Sequence, residues 1–502
     1  MTRSISLRAL LSALPTPPVL VSGKTTENTE VRVVCDDSRR ACDGALFVCI
    51  RGAASDGHRY LAAAYEAGCR LFLIESADCP ALPTDATVYR SDDTHRDLAY
   101  LAAAYYGFPA HRMRLVGITG TKGKTTVALM CHHVLRRLGE EVGYIGTNGI
   151  YYGDTVKKTA NTTPGALVLH ATLAEMVDAG ITTAVLEVSS QALWQRRVDG
   201  IGFDVCALTN LSPDHIGAPE HPTFEHYVAC KRRLLTDFGA SAVIASADDT
   251  LVATLTEDIS QGVTHCGLSP DATVRAEHVR VEQCGVIPTT VFTCRTQDDD
   301  CTVRLPLPGT HNVQNALFAL AIVRALGYPL TAAAAHLSDV AIAGRFETLE
   351  VKGALVVIDY AHNGAALRAM LTTLRGLSPA RLFCLFGSVG GRTQCRRAEL
   401  GAVADELADF SYLTADDPNF ESVEDICHDI AAAFKPRFLP NYTVIPDRAA
   451  AIRQALDELT EGDILLIAGK GDERTMRIDG QCLAHRDRDV VEAYIAQSAL
   501  PV

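Results

Sequence analysis

The residue types that suit the phosphates of a nucleotide occur in one segment, Leu-Val-Gly-Ile-Thr-Gly-Thr-Lys-Gly-Lys-Thr-Thr, which reads as a strand, a glycine-rich turn and the start of a helix. Gly120 and Gly123 let backbone N–H groups approach phosphates closely. Lys124 adds a positive charge, and the Thr125 hydroxyl can reach a bound Mg²⁺. The common phosphate-loop template has glycine where this chain has Ile118, so the loop is a variant. The alternative is a glycine turn that only packs a strand on a helix. The pattern favours a site for ATP or a close relative.

Acidic residues stand where the next strands are expected to end. Glu187 closes the strand Ala-Val-Leu-Glu, and Asp214 and His215 follow the strand after it. Ligands bind outside the carboxyl ends of the strands in an open parallel sheet, and a carboxylate there can hold Mg²⁺. A lone Glu is usually a solvated acid, and a lone His is usually not a ligand. Together with the phosphate loop, however, Glu187 is interpreted as a metal ligand.

Composition narrows the classes of function. The chain has 502 residues, of which 48% are hydrophobic and 21% charged, and its net charge is −14. This acidity disfavours nucleic acid as a partner and favours small-molecule chemistry in local basic pockets. The 16 cysteines include no Cys-x-x-Cys pair, so we expect reduced core residues in a reducing cytosol and no structural zinc site. No apolar stretch approaches the ~20 residues of a membrane span, and Pro15, Pro17 and Pro18 favour a short first helix over a signal peptide.

The order of the elements predicts an α/β protein of three domains. Residues 1–112 alternate strands with helices. Residues 113–342 contain longer apolar strands, which suit a central parallel sheet with both faces covered, and 270–306 looks like a small β-rich appendage. Residues 343–502 are expected to form a Rossmann-like α/β domain. Strands are expected at 31–35, 45–50, 114–119, 182–187, 203–209, 354–359, 381–387, 409–414 and 463–468, and helices at 60–68 and 94–106.

Further motifs follow one another along nearly the whole chain. They are Asp37-Ser38-Arg39, Asp56-Gly57-His58, the phosphate loop, Asn161-Thr162-Thr163-Pro164, Glu187-Val-Ser-Ser, Thr-Asn-Leu-Ser-Pro-Asp-His, Gly309-Thr-His-Asn312-Val-Gln-Asn315, Gly344-Arg345-Phe-Glu347, Asp359-Tyr-Ala-His362 and Ala468-Gly-Lys-Gly471. In this order they resemble the Mur ligase family, and within it the members that add the third residue of the peptide. A single such motif is unspecific, whereas the ordered set is specific.

The resemblance implies an ATP-dependent, ADP-forming ligase of peptidoglycan precursor synthesis and hence of cell wall biogenesis, with ATP and Mg²⁺ as cofactors. ATP would phosphorylate the γ-carboxylate of the D-Glu in UDP-MurNAc-L-Ala-D-Glu. The α-amine of a third amino acid would then attack the acyl phosphate and expel phosphate. Both reactants are anionic, so a lysine and a metal ion must neutralise charge before the attack. The catalytic residues implied are Lys124, Glu187, His215 and Lys231.

The resemblance also assigns the nucleotide and metal contacts. Those to ATP fall on Gly120, Thr121, Lys122, Gly123, Lys124, Thr125, Thr126, Asn312, Arg345, Asp359, His362 and Lys470. Thr125 and Glu187 would be ligands of one cation and His215 of a second, and a carbamylated Lys231 would be a further metal ligand. Carbamylation turns an ammonium into a carboxylate-like ligand. Without the resemblance, Lys231 would be interpreted as a solvated helix lysine.

The remaining substrate contacts are implied in the same way. The UDP-sugar would be held by Ser38, the turn at 53–55, Asn161, Thr162, Thr163, Ser189, Gln195 and Arg197. Helix capping is an equally good interpretation of the hydroxyl residues. The incoming amino acid would be held by Arg392, Asp416, Asp417, Asn419, Gly469 and Glu473.

The motif Asp416-Asp417-Pro418-Asn419 bears on which amino acid is added. Family members that add meso-diaminopimelate typically carry Asp-Asn-Pro-Arg there, and that Arg can grip the second carboxylate bidentately. Asn419 stands where those members have the arginine, so the bidentate guanidinium is missing. Asp417 adds a negative charge that suits a side-chain ammonium of the amino acid. The chain therefore resembles the lysine-adding members, and lysine or ornithine is the expected amino acid, with meso-diaminopimelate as the alternative. Lysine and ornithine differ by one methylene group, which changes the binding free energy in a pocket by only ~1–3 kcal/mol. The sequence therefore does not distinguish between them.

Two other classes of protein remain as alternatives. A folylpolyglutamate-synthase-like ligase would share the phosphate loop and the acyl phosphate chemistry. A non-catalytic ATP-binding regulator would keep the loop without turnover. The preferred interpretation is a cytoplasmic monomer whose partners are UDP-MurNAc-dipeptide, a diamino acid and ATP, with no nucleic acid and no membrane span.

Overall fold

The computed structural model describes residues 4–24, 29–52, 55–75, 82–214, 216–217, 220–259, 262–283, 286–391 and 394–498. Contacts between Cα atoms divide the chain into two compact units. The first comprises Met1–Arg275, Arg295–Asp299 and Asn315–Ala333, and the second comprises Ala276–Cys294, Asp300–Gln314 and Ala334–Val502. The division into three domains at 112/113 and 342/343 stays a prediction.

The first unit opens with a small α/β layer. Its strands are β1 (Ile5–Ser6), β2 (Val19–Ser22), β3 (Glu30–Val31), β4 (Val33–Cys35), β5 (Ala45–Val48), β6 (Leu71–Ile74) and β7 (Thr87–Arg90), and its helices are α1 (Leu7–Ser12), α2 (Leu61–Glu66) and α3 (Thr94–Tyr105). Five strands form a sheet in the order β2-β7-β6-β5-β4, in which only β2 pairs antiparallel. Every residue of β5 and β6 is buried, as expected for parallel strands covered on both faces. The expected short first helix is confirmed by α1.

The central sheet of this unit positions the phosphate loop. Its strands are β8 (Arg114–Thr119), β9 (Val142–Gly146), β10 (Gly149–Tyr152), β11 (Thr155–Lys157), β12 (Thr183–Glu187), β13 (Val205–Leu208), β14 (Ala242–Ser246) and β15 (Val263–Gly267), and its helices are α4 (Lys124–Arg137), α5 (Ala166–Asp178), α6 (Ser190–Trp194), α7 (Phe224–Thr236) and α8 (Thr250–Thr256). The strand order is β11-β10-β9-β12-β8-β13-β14-β15. Strand β8 lies between β12 and β13 and is parallel to both. The carboxyl ends of these three strands therefore share one edge, since Glu187 pairs with Ile118 and Leu208 with Thr119.

Helix α7 shows how local sequence fixes an element that carries a site residue. The Thr223 side chain caps its first turn by accepting a hydrogen bond from the His226 N–H. Glu225 lies in the first turn and Arg233 in the last, where each charge opposes the helix dipole. One face of the helix is buried, and this face includes Lys231. A lysine on a buried face requires an explanation beyond helix propensity.

The β-rich appendage expected at 270–306 consists of three strands, β16 (Val274–Gln283), β17 (Pro288–Arg295) and β18 (Asp300–Leu305). They are neighbours in that order. At ten, eight and six residues they are longer than the short strands expected from the sequence. Helices α9 (Thr310–Ala325) and α10 (Leu330–Ala335) follow.

The second unit contains a Rossmann-like sheet. Its strands are β19 (Glu347–Val351), β20 (Ala354–Asp359), β21 (Leu382–Phe386), β22 (Phe410–Leu413), β23 (Tyr442–Val444) and β24 (Ile464–Ala468), with a hairpin of β25 (Thr475–Ile478) and β26 (Gln481–Ala484). Its later helices are α11 (Gly364–Arg375), α12 (Cys395–Leu407), α13 (Val423–Ala431), α14 (Arg448–Glu458) and α15 (Asp487–Ser498). The order is β19-β20-β24-β21-β22-β23, and only β19 is antiparallel. Asp359 pairs with Ala468, so the motif residues that follow β24 lie beside the end of β20.

The cysteines mostly behave as small core residues. All fourteen in the described part of the chain are free thiols, and ten of them are buried. The expectation of core cysteines is wrong for Cys395 and Cys482, which are exposed at the start of α12 and in the β25–β26 hairpin. No helix among the described residues is long and apolar enough to cross a membrane.

Candidate active site

The phosphate loop connects β8 to α4 in a conformation that requires its glycines. Gly120 has φ 144°, and a Cβ there would lie 1.9 Å from the Thr209 Oγ1. Gly123 has φ 87°, and a Cβ there would lie 2.5 Å from the Asn315 Oδ1. No side chain caps the first turn of α4, so its backbone N–H groups keep their capacity for an anion. The loop predicted from the sequence therefore has a backbone conformation that could hold a phosphate group.

Two lysines converge on one carbonyl oxygen of this loop. The Nζ atoms of Lys124 and Lys231 lie 2.9 and 2.8 Å from the Gly120 carbonyl oxygen. Burial, followed by the charge of Lys124, lowers the pKa of Lys231 well below its ordinary value. Lys231 is 2% exposed, and its Nζ also lies 4.7 Å from the centre of the Tyr227 ring. The structure thus pairs a charged lysine with a second amine that favours its uncharged form.

Glu187 lies at the end of β12, fully buried and surrounded by donors. Its Oε2 accepts hydrogen bonds from the hydroxyls of Thr125, at 2.8 Å, and Thr147, at 3.2 Å. Its Oε1 accepts from the Tyr144 hydroxyl at 2.5 Å and from the Thr147 N–H at 2.9 Å. The sequence did not single out Tyr144 or Thr147, because neither belongs to a motif. These bonds fix the carboxylate beside the first turn of α4.

The other loop residues are held by the segment after β13. The Thr121 N–H donates to the Asn210 carbonyl oxygen at 2.9 Å. The Lys122 N–H donates to the Asn210 Oδ1 at 2.8 Å, and its Nζ lies 3.0 Å from the Asp214 Oδ2. Thr126 is buried in α4. His215, expected as a ligand of a second cation, lies outside the described residues.

Four of the residues expected for the UDP-sugar form one hydrogen-bonded network at the end of β12. The Thr163 hydroxyl donates to the Glu187 carbonyl oxygen at 2.8 Å and accepts from the Ser189 N–H at 3.0 Å. Arg197 donates to the Thr163 carbonyl oxygen at 2.8 Å and to the Gln195 Oε1 at 2.6 Å. Ser189 also caps α6 by accepting from the Ala192 N–H. Capping and substrate binding are therefore compatible roles for Ser189.

Arg197 is the exceptional member of this network. Burial lowers the pKa of its guanidinium. Its side-chain hydrogen bonds within the described residues go to neutral oxygens of Gln195 and Thr163 rather than to a carboxylate. Its neighbour Arg196, by contrast, forms ion pairs with Asp93 and Asp199. Arg197 thus offers a half-buried positive charge to an anionic ligand.

The other expected UDP-sugar residues are less tightly held. Thr162 shares a 3.1 Å hydroxyl contact with Thr147, and Asn161 is exposed. Ser38 begins a short 3-10 helix that is capped by Asp37. Residues 53 and 54 of the expected uridine turn lie outside the described residues.

In the second unit, the buried ammonium of Lys470 lies close to three carboxylates. The Nζ of Lys470 lies 2.9 Å from the Asp417 Oδ1, 2.8 Å from the Glu473 Oε2 and 3.5 Å from the Asp416 Oδ1. Burial opposes the charge, but Asp416 and then Glu473 outweigh it and raise the pKa of Lys470. Three acids share this ammonium, so the corner keeps an excess of acidic groups. Lys470 was expected to contact ATP. It lies among residues that were expected to bind the incoming amino acid.

Asn419 fastens the loop that follows β22. Its Nδ2 donates to the carbonyl oxygens of Gly390 at 3.0 Å and Asp417 at 3.1 Å, and its φ is 56°, a value that Asn tolerates better than most residues. Gly469 has φ 109°, and a Cβ there would lie 2.8 Å from the Asp416 Oδ2. The Asn419 hydrogen bonds thus hold the loop whose Asp417 carboxylate lies beside Lys470. Arg392, expected at the α-carboxylate, lies outside the described residues.

The other ATP residues assigned to the second unit lie near the ends of its strands. Asp359 is buried, its Oδ2 accepts from the Phe346 N–H at 2.9 Å, and burial raises its pKa against the opposing charge of Arg345. The Arg345 guanidinium lies 4.5 Å from the centre of the Tyr360 ring. His362 contacts the Tyr360 carbonyl oxygen through its Nδ1 at 2.8 Å. Asn312 is buried, and its Nδ2 donates to the Pro308 carbonyl oxygen at 2.9 Å.

Sequence reasoning missed the ion pair that holds the second unit's strand ends together. Arg448 and Asp487 are fully buried, and two hydrogen bonds of 2.7 Å join them. Arg448 also donates to the carbonyl oxygens of Ala415 at 3.1 Å and Ala468 at 2.9 Å. These two residues directly precede Asp416 and Gly469. Nothing in the sequence signals the pair, because its members lie in different helices.

A phosphate loop after β8, a buried acid at the end of adjacent β12 and a second Rossmann-like unit define a nucleotide-dependent α/β enzyme. Three family models match the chain: the Mur ligase family, catalytic domain (residues 30–106), the Mur ligase middle domain (118–323) and the Mur ligase, glutamate ligase domain (344–471). The chain belongs to the Mur ligase family and is a ligase.

Curated relatives match along nearly the full chain. A UDP-N-acetylmuramoyl-L-alanyl-D-glutamate–2,6-diaminopimelate ligase of Geobacillus kaustophilus is 34% identical, with 98% of this chain and 100% of the relative covered. The ligase of the same name from Chlorobium phaeobacteroides is 36% identical, with 96% and 95% covered. A solved structure of an enzyme with this name has a TM-score of 0.71 at 23% identity and covers 99% of this chain and 100% of its own, which confirms the fold.

Proposed function

We propose that the chain is an ATP-dependent ligase that adds a diamino acid to UDP-MurNAc-L-Ala-D-Glu through an acyl phosphate. The observation that carries this proposal is the buried Glu187, which is hydrogen-bonded to Thr125 at the start of α4, beside the glycine loop. This arrangement brings a carboxylate, a hydroxyl and the Lys124 charge to one phosphate cradle. The names of the relatives supply the substrate class. A cytoplasmic, monomeric state stays a prediction.

The donor set of the first unit fits Mg²⁺. Thr125 offers a hydroxyl oxygen and Glu187 a carboxylate, and hard cations prefer oxygen ligands. The hydrogen bonds from Tyr144 and Thr147 leave the carboxylate oriented toward the loop. Mg²⁺ at these oxygens would screen the phosphate charge that repels the substrate carboxylate. Thr125, Glu187 and Lys231 are the ligands proposed within the described residues.

Lys231 would act after carbamylation. Its lowered pKa favours the neutral amine, which is the form that attacks CO₂. The nitrogen forms a bond to the carbon of CO₂, one C–O π bond becomes the carboxylate, and the amine loses a proton to solvent. The resulting anion would lie beside the Lys124 charge, because both side chains contact the Gly120 carbonyl oxygen. Such a carbamate would supply oxygen ligands that an ammonium cannot.

Arg197 is proposed to bind an anionic group of the UDP-MurNAc-dipeptide. Arg197→Ala is expected to raise the KM for this substrate about 10- to 100-fold, because a hydrogen bond to a charged group is worth roughly 1.5–3 kcal/mol. Initial rates at saturating ATP and amino acid would measure it. Arg196→Ala is the matched control, since that neighbour is already paired with Asp93 and Asp199. An unchanged KM in the Arg197 variant would remove this residue from the binding site.

Lysine or ornithine remains the first candidate for the incoming amino acid. The ammonium of Lys470 is shared by Asp416, Asp417 and Glu473, so this corner has an acidic excess that suits a side-chain amine and disfavours a second carboxylate. The amide of Asn419 is used in fastening its loop. The second candidate is meso-diaminopimelate, which the names of the relatives favour.

The test is ADP and phosphate release with ATP, Mg²⁺ and UDP-MurNAc-L-Ala-D-Glu, with lysine, ornithine and meso-diaminopimelate offered separately. We expect turnover with lysine or ornithine, and we expect Asn419→Arg to shift the kcat/KM ratio toward meso-diaminopimelate. Turnover of the unchanged chain with meso-diaminopimelate alone would keep the reaction and overturn the first candidate. No ADP or phosphate release with any of the three amino acids would support a non-catalytic ATP-binding regulator. A requirement for a folate substrate would support a folylpolyglutamate-synthase-like ligase.

A further inference from the structure

A cluster of two imidazoles and a thiol lies on α7 and the segment before it. The Nδ1 atoms of His221 and His226 are 2.9 Å apart. The Cys230 Sγ lies 3.9 Å from the His226 Nδ1, and one ligand atom from each of the three residues lies within 4.8 Å of the others. His226 and Cys230 are four residues apart on one helix, so they share a face. None of the three was assigned a role in the ligase reaction.

We propose that His221, His226 and Cys230 form a binding site for a borderline-soft divalent transition cation, for which Zn²⁺ is the best fit. Two imidazole nitrogens and one thiolate are a donor set that zinc prefers and Mg²⁺ does not. The three donor atoms lie within 4.8 Å of one another, so they can close around a four-coordinate zinc ion, whose bonds to nitrogen and sulfur are about 2.0 and 2.3 Å long. Water would complete the coordination.

The surroundings orient the ligands. The His221 Nε2 contacts the Ser190 hydroxyl oxygen at 2.8 Å, which suits the tautomer that leaves the Nδ1 lone pair for a metal. His221 and Cys230 are buried, whereas His226 is half-buried, so a cation can enter past the latter. The next residue, Lys231, contacts the Gly120 carbonyl oxygen instead. The cluster is therefore distinct from the proposed Mg²⁺ ligands.

Cation binding at this cluster releases one proton and moves another. The cation bonds to both Nδ1 atoms and to the Cys230 sulfur, and the thiol proton passes to solvent. The proton shared by the two Nδ1 atoms moves to the Nε2 of His226. No oxidant or reductant is required. Because His221 contacts Ser190, the first residue of α6, an occupied site would also fix the helix start next to Ser189.

The single tryptophan of the chain reports on this site. Trp194 is 41% exposed, and its ring centre lies 5.5 Å from that of His221 and 5.3 Å from that of His226. Titration of the full chain with Zn²⁺, in excess Mg²⁺ so that hard-cation sites are saturated, is expected to change the tryptophan fluorescence with a stoichiometry of one. Co²⁺ in place of Zn²⁺ should give a thiolate charge-transfer absorption band.

Cys230→Ala and His226→Gln are expected to weaken Zn²⁺ binding by more than about 100-fold, since even outer-shell partners of a metal are worth 10- to 100-fold. Cys482→Ala is the matched control. It removes an exposed thiol in the β25–β26 hairpin and should bind Zn²⁺ as the unchanged chain does. Thermal melting would establish that each variant folds. The proposal is overturned if the unchanged chain shows no fluorescence change and no charge-transfer band, or if Cys230→Ala retains both. This outcome is independent of the proposed ligase activity, because the readout needs no substrate.

Discussion

Replacement of Lys231 by alanine is expected to lower kcat by about 10²- to 10³-fold or more, the range seen when one preorganised electrostatic contact to a transition state is lost. The variant removes a proposed metal ligand from a site where two anionic reactants must meet. Lys231→Arg should be equally inactive, because a guanidinium keeps the charge but cannot form the carbamate. Phosphate release under the conditions of the amino acid panel would measure both variants.

The matched control is the neighbouring residue. Arg232 forms an ion pair with Asp258 on the solvent side of α7, and Arg232→Ala should retain near-normal turnover. The carbamate itself can be observed by ¹³C NMR in labelled bicarbonate, with the signal expected in the unchanged chain and absent from both Lys231 variants. Full activity in Lys231→Ala would exclude the carbamate from the mechanism. Loss of activity with an unaltered carbamate signal would place the modification at another residue.

Replacement of Asp487 by alanine is expected to destabilise the protein by about 3–5 kcal/mol, because it leaves the buried Arg448 guanidinium without its counter-charge. The loss would appear as a lower midpoint in urea unfolding followed by circular dichroism. Glu406→Gln is the control, since its ion pair with Arg368 is half-exposed. That variant should change the free energy of unfolding by at most about 1 kcal/mol.

The same pair predicts a pH dependence of stability. Burial alone would raise the pKa of Asp487, but the adjacent Arg448 charge outweighs it and holds this pKa below its ordinary value. The pair therefore contributes stability above the unfolded-state pKa of about 3.9, and this contribution is lost as the pH falls through the lower folded-state pKa. Asp487→Ala should flatten the acid limb of the stability curve. An unchanged acid limb would show that other carboxylates set it.

The acidic cluster of Asp416, Asp417 and Glu473 shows that a sequence motif does not predict how much of a residue's charge is compensated in the fold. From the sequence, Asp417 is expected to add a negative charge that suits a side-chain ammonium of the substrate. In the structure it accepts hydrogen bonds from Lys470 and from the Arg477 N–H, so much of its charge is already compensated. The three acids together, rather than Asp417 alone, favour a basic substrate. Only the fold brings Asp416 and Asp417 to Glu473, which lies in a different segment of the chain.

The features that could be predicted from the residues alone are local. The glycine loop, strand β8 (114–119) and strand β20 (354–359) were predicted at their observed bounds, because periodic burial and turn residues act within a few positions of one another. Glu187 could be interpreted from its place at a strand end. The ordered motifs added the family, which the comparisons confirmed.

Which side chains meet across long separations in sequence depends on how the chain packs. The lowered pKa of Lys231 depends on burial against Gly120 and on Lys124, neither of which is near it in sequence. The pairing of Arg448 with Asp487 joins two helices that no local pattern relates. From the sequence we expected no structural zinc site, because Cys230 belongs to no Cys-x-x-Cys pair. The proposed cluster arises only because the entry into α7 brings His221 and His226 to this thiol. Burial and charge proximity are properties of the packed chain, so these sites exist only after folding.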